Sequence, residues 1–302
     1  MRISITVGLG ARAESTVPGL VTRAQELEAL GFHGVWMPNA FGFDAITALA
    51  VVANQTSRVE IGTAVVPTFP RHPVVMAQQA LTAQSAAGGR FTLGIGLSHQ
   101  VMMEDALGLP YGHPARHMRE YLSVLAPLLR GESVDFHGEL YRVATALTAG
   151  APPVPLVVAA LGPAMLKLAG TFADGTITSW VGPKALESHV VPTISAAAAE
   201  AGRPAPRILV GLPIALTDDA ESARAQLAQT AAWYNSLPSY RAMLDREGVN
   251  SPADVALVGN EEALDAGLKR LEEAGTTGFL AQLISTGPGS TQRTLEYLAS
   301  RV

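Results

Sequence analysis

The sequence predicts an α/β fold, a (β/α)₈ barrel, on three observations. The chain has 302 residues, and barrels of this class run from about 200 to more than 400. Short apolar runs alternate with helix-like stretches eight times. The strand-like runs are apolar on both faces, which is typical of parallel strands covered by helices. Eight such repeats favour a closed barrel over an open sheet, so we expect one domain over residues 1–302.

The strands are predicted from short apolar runs and the helices from longer periodic stretches, some stopped by glycine. The eight strands are Ile3–Val7, Gly34–Met37, Val59–Pro67, Phe91–Ile95, Leu156–Ala160, Thr176–Ser179, Ile208–Ala215 and Gly278–Ile284. The helices are Pro18–Leu30, Ala45–Ala53, Val74–Ala87, Arg116–Leu129, Ala164–Thr171, Lys184–Ala201, Ala220–Asn235, Glu261–Ala274 and Thr291–Ala299. Between the fourth helix and the fifth strand, the alternation in Gly131–Val143 predicts a small inserted hairpin.

Composition excludes several classes of function. Charged residues make up 16% of the chain, against about 25% in an average soluble protein, and 48% of the residues are hydrophobic. This composition predicts a large core and excludes a disordered chain. The net charge is -5, and no run of Lys or Arg exceeds two residues, so nucleic acid is not an expected partner. The absence of cysteine excludes disulfides, thiolate metal sites and a cysteine nucleophile.

The opening segment and the short apolar runs predict a soluble protein that does not bind membranes, and the absence of cysteine fits a cytoplasmic location. The opening sequence, MRISITVGLG, is typical of a strand and lacks the charged region and cleavage site of a signal peptide. The longest apolar runs, such as Ala48–Ala53 and Pro152–Leu161, are far shorter than the roughly 20 residues that span a bilayer.

The loops that follow the strands are the expected location of the active site, because barrel enzymes place their chemistry at the carboxyl ends of the strands. These loops are Gly8–Arg12, Pro38–Phe43, Ala64–Arg71, Gly96–Met103, Ala160–Gly162, Trp180–Pro183 and Ser285–Ser290. They contain few ionisable groups. These loops form the mouth of the barrel, and the apolar candidates for its lining are Trp36, Met37, Phe41, Phe43, Phe69, Met102, Met103 and Trp180. Of these, we expect Trp36 and Met37 to be core residues. An apolar mouth suits a planar cofactor that supplies its own reactivity.

The loop Ala160–Gly162 is a candidate anion site. It ends a predicted strand, and Pro163 is suited to the first position of the next helix. Glycine permits a tight turn there, and free amides at a helix start bind phosphate. An ordinary connecting loop is the alternative, because a single glycine is a weak signal. The glycines in Gly94–Gly96 lack the spacing of a dinucleotide-binding motif.

The histidines differ in how strongly they suggest chemistry. His99 directly follows a strand, so it is a candidate for proton transfer or for a supporting hydrogen bond. His113 and His117 are four residues apart, but Pro114 separates them and no nearby carboxylate completes a metal site. We therefore expect capping or surface roles for them and no bound metal. His72 is expected to fix the start of a helix.

The chain resembles the bacterial luciferase-like family of flavin- and deazaflavin-dependent oxidoreductases over nearly its whole length. The resemblance lies in AQELEALGFHGVWMPN, in the block Thr56–Gly96 and in LGPAMLKLAGTFADGTIT. The details GIGLSH and PARHMREYL are most similar to the branch that uses coenzyme F420, a 5-deazaflavin. The resemblance implies an F420-dependent homodimer that exchanges a hydride with a small organic substrate. The alternatives are an FMN-dependent monooxygenase and a non-catalytic cofactor-binding barrel.

The same resemblance implies site residues position by position. In the family, a cis peptide after the third strand and the loop after the fourth strand contact the ring, and the loop after the fifth strand binds the phosphate. The implied cofactor-binding residues are Asn39, Ala64, Val65, Leu97, Ser98, His99, Ala160, Leu161 and Gly162. Asn39 and His99 are the catalytic candidates. Asn39-Ala40 replaces an Asp-His pair of the family's sugar-phosphate dehydrogenases, so the general-base chemistry of that pair is not expected here. His99 or Gln100 stands where these dehydrogenases carry an acid after the fourth strand.

Overall fold

The structure, a computed structural model, describes residues 1–9 and 14–302 and is built on a closed parallel barrel. Its strands are β1 (Arg2–Thr6), β2 (Gly34–Met37), β3 (Glu60–Thr63), β4 (Phe91–Gly96), β5 (Leu156–Ala159), β6 (Gly175–Ser179), β7 (Arg207–Leu216) and β8 (Gly278–Leu283). Each strand pairs with the next, and β8 pairs with β1, which closes the barrel. The predicted fold class is confirmed. The predicted mouth residues 10–12 lie outside the described residues.

A helix follows each strand. The helices are α1 (Val17–Ala29), α2 (Ala45–Asn54), α3 (Pro73–Ala86), α4 (Pro114–Leu129), α5 (Pro163–Phe172), α6 (Val191–Glu200), α7 (Glu261–Glu273) and α8 (Ser290–Ala299). The predicted hairpin is present as strands Val134–His137 and Arg142–Thr145. Among the described residues, no helix is long and apolar enough to cross a membrane.

The structure departs from the predicted elements in several places. The predicted third strand is interrupted after Thr63 and resumes as Val66–Pro67, which pairs with β4. The predicted helix Lys184–Ala201 begins with a short turn at Pro183–Ala185 and a π-helical turn at Leu186–Val190, and α6 is its remaining part. The predicted helix from Ala220 to Asn235 is split into Ala220–Thr230 and Ala232–Asn235. An unpredicted helix, Pro238–Glu247, a 3₁₀ turn, Pro252–Val255, and a short strand, Leu257–Gly259, then lead to α7.

Side-chain caps begin several of the barrel helices. Thr16 accepts a hydrogen bond from the Gly19 N–H before α1, and Asp44 accepts one from the Thr47 N–H before α2. The His72 ring accepts one from the Val74 N–H, so the predicted role of His72 is confirmed. Such caps satisfy amides that have no partner within the helix.

The interior of the barrel is filled by side chains. Trp36 is fully buried and packs with apolar residues from the opposite strands, including Ile177 and Leu280. A Cβ atom at Gly62 would lie 2.4 Å from the Trp36 ring, so the absence of a side chain there makes room for the indole. Trp36 and Met37 are core residues, as the sequence predicts.

A polar cluster ties three strands at their amino ends. The Arg207 guanidinium at the start of β7 donates to both carboxylate oxygens of Glu60 on β3, at 2.8 and 2.9 Å. Thr92 on β4 donates to the same carboxylate at 2.6 Å. Two parallel N–H···O bonds of this kind give an ion pair a fixed geometry. The cluster lies at the opposite end of the barrel from the predicted mouth.

Glu120 on α4 holds the inserted hairpin. Its buried carboxylate accepts backbone hydrogen bonds from Glu139, Leu140 and Tyr141, at 3.1, 2.8 and 3.0 Å. Burial raises the pKa of Glu120, but the backbone donors outweigh burial, and the pKa lies below its ordinary value. The hairpin is therefore attached to α4 through an ionised acceptor.

We expect Glu120→Ala to lower the free energy of unfolding by about 2 kcal/mol at pH 7, because buried amides lose a charged acceptor. Urea denaturation measures the change. The matched control is Glu139→Ala, which removes an exposed carboxylate from the same hairpin and should cost less than about 1 kcal/mol. Because the pKa of Glu120 is lowered on folding, its contribution is present at neutral pH and is lost as the pH falls through the folded pKa. Equal losses for the two variants would contradict this assignment.

His117 differs from its predicted role. It is buried on α4, where its Nε2 lies 2.9 Å from Thr68 Oγ1 and its Nδ1 lies 3.4 Å from the Tyr141 hydroxyl. The surface or capping role is therefore wrong for His117, because two distant segments cover it. Burial lowers its pKa to about 4, so the ring is neutral at physiological pH. His113 is exposed at the start of α4, without a side-chain cap.

Candidate functional site

The carboxyl ends of the strands surround a cavity of about 420 Å³, called here the inner cavity. All nine predicted cofactor residues line it. They come from the loops after β2, β3, β4 and β5 and are Asn39, Ala64, Val65, Leu97, Ser98, His99, Ala160, Leu161 and Gly162. Residues that are distant in sequence therefore meet at one mouth, as the barrel geometry requires.

A cis peptide joins Ala64 and Val65, as predicted. The Ala64 N–H donates to the Met37 carbonyl at 2.8 Å, and the Val65 carbonyl accepts from the Asn39 N–H at 3.3 Å. A Cβ atom at Gly96 would lie 2.8 Å from a Val65 methyl carbon. The glycine therefore lets Val65 pack against β4, and the two residues form part of the cavity wall.

Asn39 presents a hydrogen-bond donor at the mouth. Its Oδ1 accepts from the Ala45 N–H at 2.9 Å and lies 3.5 Å from an Arg71 nitrogen. Arg71 also forms an ion pair with Asp44. Because a backbone N–H can bond only to the amide oxygen, the Nδ2 group of Asn39 remains to donate to a ligand. Asn39 can thus hold a carbonyl or hydroxyl oxygen, but it cannot act as a base.

His99 lies half-buried between the inner cavity and the aromatic side chains that cover it. The Trp233 ring is perpendicular to the imidazole, with 4.9 Å between ring centroids, and the Tyr240 ring lies at 5.8 Å. Burial lowers the pKa of His99. Within the described part of the chain, no residue forms a hydrogen bond with its ring nitrogens. A neutral imidazole with free nitrogens can accept or donate a proton.

Sequence reasoning missed four aromatic residues of this site. Trp233, Tyr234 and Tyr240 lie in the segment 217–260 between β7 and α7, and Tyr111 follows β4. Burial raises the pKa values of Tyr111 and Tyr240, so both hydroxyls stay protonated. The available signal was the grouping of three aromatic residues within 233–240, in a segment that contains no other aromatic residue.

The loop after β5 ends at the start of α5. Gly162 occupies the N-cap position and Pro163 the first helical position, as predicted. The Leu161 carbonyl accepts a hydrogen bond from His189 Nε2 at 2.8 Å, which fixes the loop. Gly162 has an ordinary φ of -79°, so the turn itself does not require glycine and that part of the prediction is wrong. A Cβ atom there would have no neighbour within 4 Å, so the position borders open space.

Other features of the inner cavity also suggest a ligand site. The Thr6 hydroxyl is buried at the cavity wall, and no described residue hydrogen-bonds to it. Ser98 and Trp180 adopt left-handed backbone conformations, with φ of 61° and 60°, and both line the cavity. Such conformations are costly for residues other than glycine and concentrate at functional sites.

The predicted apolar lining is correct in part. Trp180 lines the inner cavity, and a second cavity beside it is lined by Phe41, Met102 and Met103. Phe43 and Phe69 line neither cavity, so the prediction is wrong for them. Phe69 instead stacks on His117, with 3.9 Å between ring centroids. Among the described residues, no group of three or more His, Asp or Glu side chains could hold a metal ion.

Comparisons with known proteins give both sequence and structural matches. Residues 1–290 match the family model for luciferase-like monooxygenases. The F420-dependent glucose-6-phosphate dehydrogenase of Kineococcus radiotolerans is 31% identical over 283 residues, which cover 88% of this chain and 82% of the relative.

Two solved structures illustrate the shared fold. An F420-dependent secondary alcohol dehydrogenase, solved with an F420-acetone adduct, gives a TM-score of 0.82 at 20% identity, covering 100% of this chain and 98% of its own. The oxygenating component of 3,6-diketocamphane monooxygenase from Pseudomonas putida, solved with FMN, gives 0.78 at 16% identity, covering 100% and 97%. At these identities, the likeness concerns the fold.

Proposed function

Because the chain belongs to the luciferase-like monooxygenase family, we propose that this enzyme is an F420-dependent oxidoreductase acting on a small organic substrate. The observation that carries the proposal is the meeting of all nine predicted cofactor residues around one cavity. Relatives that are named as F420-dependent glucose-6-phosphate dehydrogenases support the choice of cofactor. The homodimer and the cytoplasmic location stay predictions.

The residues present fit a planar phosphorylated cofactor. A buried phosphate needs donors, and the first amides of α5 have no partner within the helix. The open space at Gly162 leaves the backbone accessible to such a group, and the Thr6 hydroxyl is a buried group without a partner on the cavity wall. In this assignment, Leu161 and Gly162 hold the phosphate, while the Ala64–Val65 peptide and Leu97 pack against the ring.

The chemistry divides between cofactor and protein. A bound 5-deazaflavin supplies the hydride acceptor or donor. Asn39 Nδ2 holds the substrate oxygen, and a ring nitrogen of His99 accepts or returns the proton of that oxygen. The aromatic cover of Trp233, Tyr234 and Tyr240 excludes water from the reacting atoms. The protein thus contributes orientation and one proton-transfer group.

We expect the purified protein to bind F420 at least tenfold more tightly than FMN, a difference of at least about 1.4 kcal/mol. The reason is the similarity of GIGLSH and PARHMREYL to the deazaflavin branch. Titration followed by cofactor fluorescence measures both affinities. Equal affinities, or a preference for FMN, would overturn the cofactor assignment.

An FMN-dependent monooxygenase is the second candidate, favoured by the match of residues 1–290 to the model of the luciferase-like monooxygenases. Oxygen consumption separates the two functions, because deazaflavin reacts poorly with oxygen. Saturable F420 binding without turnover over a broad substrate panel would instead support a non-catalytic binding protein.

A further inference from the structure

A second cavity of about 760 Å³ opens beside the inner cavity. The two share a neck formed by Asn39, Pro67, Ser98, His99 and Tyr234. Beyond the neck, the second cavity is called here the outer chamber. The residues that line the outer chamber alone are Ala40, Phe41, Pro70, Arg71, Met102, Met103, Leu107 and Trp233. Because the two cavities share the neck residues, a molecule in the outer chamber can reach His99.

The outer chamber offers almost no charge to a ligand. Of its lining residues in the described part of the chain, Arg71 alone carries a permanent charge. The Arg71 guanidinium is paired with Asp44 and lies against Asn39 Oδ1. A phosphate or carboxylate placed there would lose its hydration without gaining an unpaired cation. The rest of the lining is hydrocarbon, aromatic ring or thioether, which favours apolar ligands.

The neck, in contrast, is polar on one side. Asn39 presents an amide donor, Ser98 a hydroxyl and His99 an imidazole whose pKa is lowered by burial. These groups are few and uncharged at neutral pH, so they match a single carbonyl or hydroxyl oxygen better than a polyol or an anion. Met102 and Met103 lie on a π-helical turn, and their flexible side chains can adapt to apolar ligands of different shapes.

We propose that the outer chamber binds the apolar body of a neutral substrate whose one carbonyl or hydroxyl group reaches Asn39 and His99 at the neck. This inference rests on the proposed function. In the oxidising direction, a bound deazaflavin would supply the acceptor for the hydride of the carbinol carbon. The hydroxyl proton would pass to His99, and the product would be a ketone or aldehyde. Reduction reverses both transfers.

The test compares two substitutions on the same loop. Leu107 lines the outer chamber and is 47% exposed, whereas Val101 is 42% exposed and lies outside its lining. Both positions tolerate a polar residue without burying it, so Leu107→Asp and Val101→Asp should both fold. The probe is 2-tetralone, a neutral bicyclic ketone, and glucose 6-phosphate is the charged comparison. Calorimetry measures the binding of each to the F420-loaded protein.

We expect Leu107→Asp to weaken 2-tetralone binding about tenfold or more and Val101→Asp to change it by less than about twofold. Both variants should retain the F420 affinity of the parent. Tighter binding of glucose 6-phosphate than of the ketone, no ketone binding by the F420-loaded protein, or equal effects of the two variants would overturn the inference. A protein that binds 2-tetralone but not F420 would instead overturn the proposed function and leave the apolar chamber in place.

Discussion

Replacing His99 by glutamine is expected to lower kcat about 100-fold at pH 7 with F420 and an oxidisable alcohol. Glutamine retains a polar side chain of similar length but cannot exchange a proton at the neck of the two cavities. His99 is suited to that exchange because its ring nitrogens are free of described partners and because it borders both cavities. The control is His33→Gln, an exposed histidine just before β2, which should leave kcat unchanged.

The pH profile separates proton transfer from a structural role of His99. Burial lowers its pKa below the ordinary value of 6.5, so the ring is neutral at pH 7. Alcohol oxidation requires the neutral ring. The value of kcat/KM should therefore be constant through neutral pH and fall as the pH drops through the lowered pKa. In His99→Gln this acid limb should vanish while F420 affinity persists. A variant that keeps both the limb and the rate would show that another group carries the proton.

The barrel itself could be predicted because the local sequence pattern identifies each of its strands. Leu156–Ala159, for example, is apolar on both faces and lies between a proline-rich loop and a helix, so its pattern is typical of a buried parallel strand. The observed strand differs from the predicted one by one residue. Position at the carboxyl ends of such strands then places His99 and Gly162 at one mouth, whatever their separation in sequence.

The aromatic cover could not be predicted in the same way. Trp233 lies on Ala232–Asn235, the end of a predicted helix, whereas Tyr240 lies on the unpredicted helix Pro238–Glu247. The local sequence does not show where either helix packs. Their contact with His99 depends on how the segment after β7 folds across the mouth. The cis peptide at Ala64 likewise follows from family resemblance and not from periodicity.

The burial of His117 also could not be predicted from the local sequence. Pro114 and the charged neighbours of His117 indicate a helix start at the surface, and the helix does begin there. Its burial arises from Thr68 and Tyr141, which belong to a mouth loop and to the inserted hairpin. Local pattern gives the helix, while tertiary contacts decide which of its faces is covered.

Gly162→Val is expected to weaken F420 binding about 100-fold, or about 2.7 kcal/mol, while the barrel stays folded. The backbone at Gly162 has φ of -79°, which valine adopts without strain. Apart from Gly162 itself and its two chain neighbours, no residue has an atom within 4 Å of the position of the new Cβ. The branched side chain would therefore occupy the space beside the first amides of α5, where the phosphate is proposed to bind. Thermal unfolding verifies the fold, and titration of F420 fluorescence measures the affinity.

The matched control for that substitution is Ala164→Val, two residues further along the chain. Ala164 lies in the first turn of α5, is exposed and does not line the inner cavity, so its extra methyl groups should change F420 affinity by less than about twofold. Both variants place a valine side chain at the start of α5, but only Gly162→Val fills the space that is open to a ligand. Because a phosphate held by backbone amides needs contact at hydrogen-bond distance, it cannot tolerate a side chain between itself and the helix. Undiminished affinity in a folded Gly162→Val protein, or an equal loss in both variants, would place the phosphate elsewhere in the mouth.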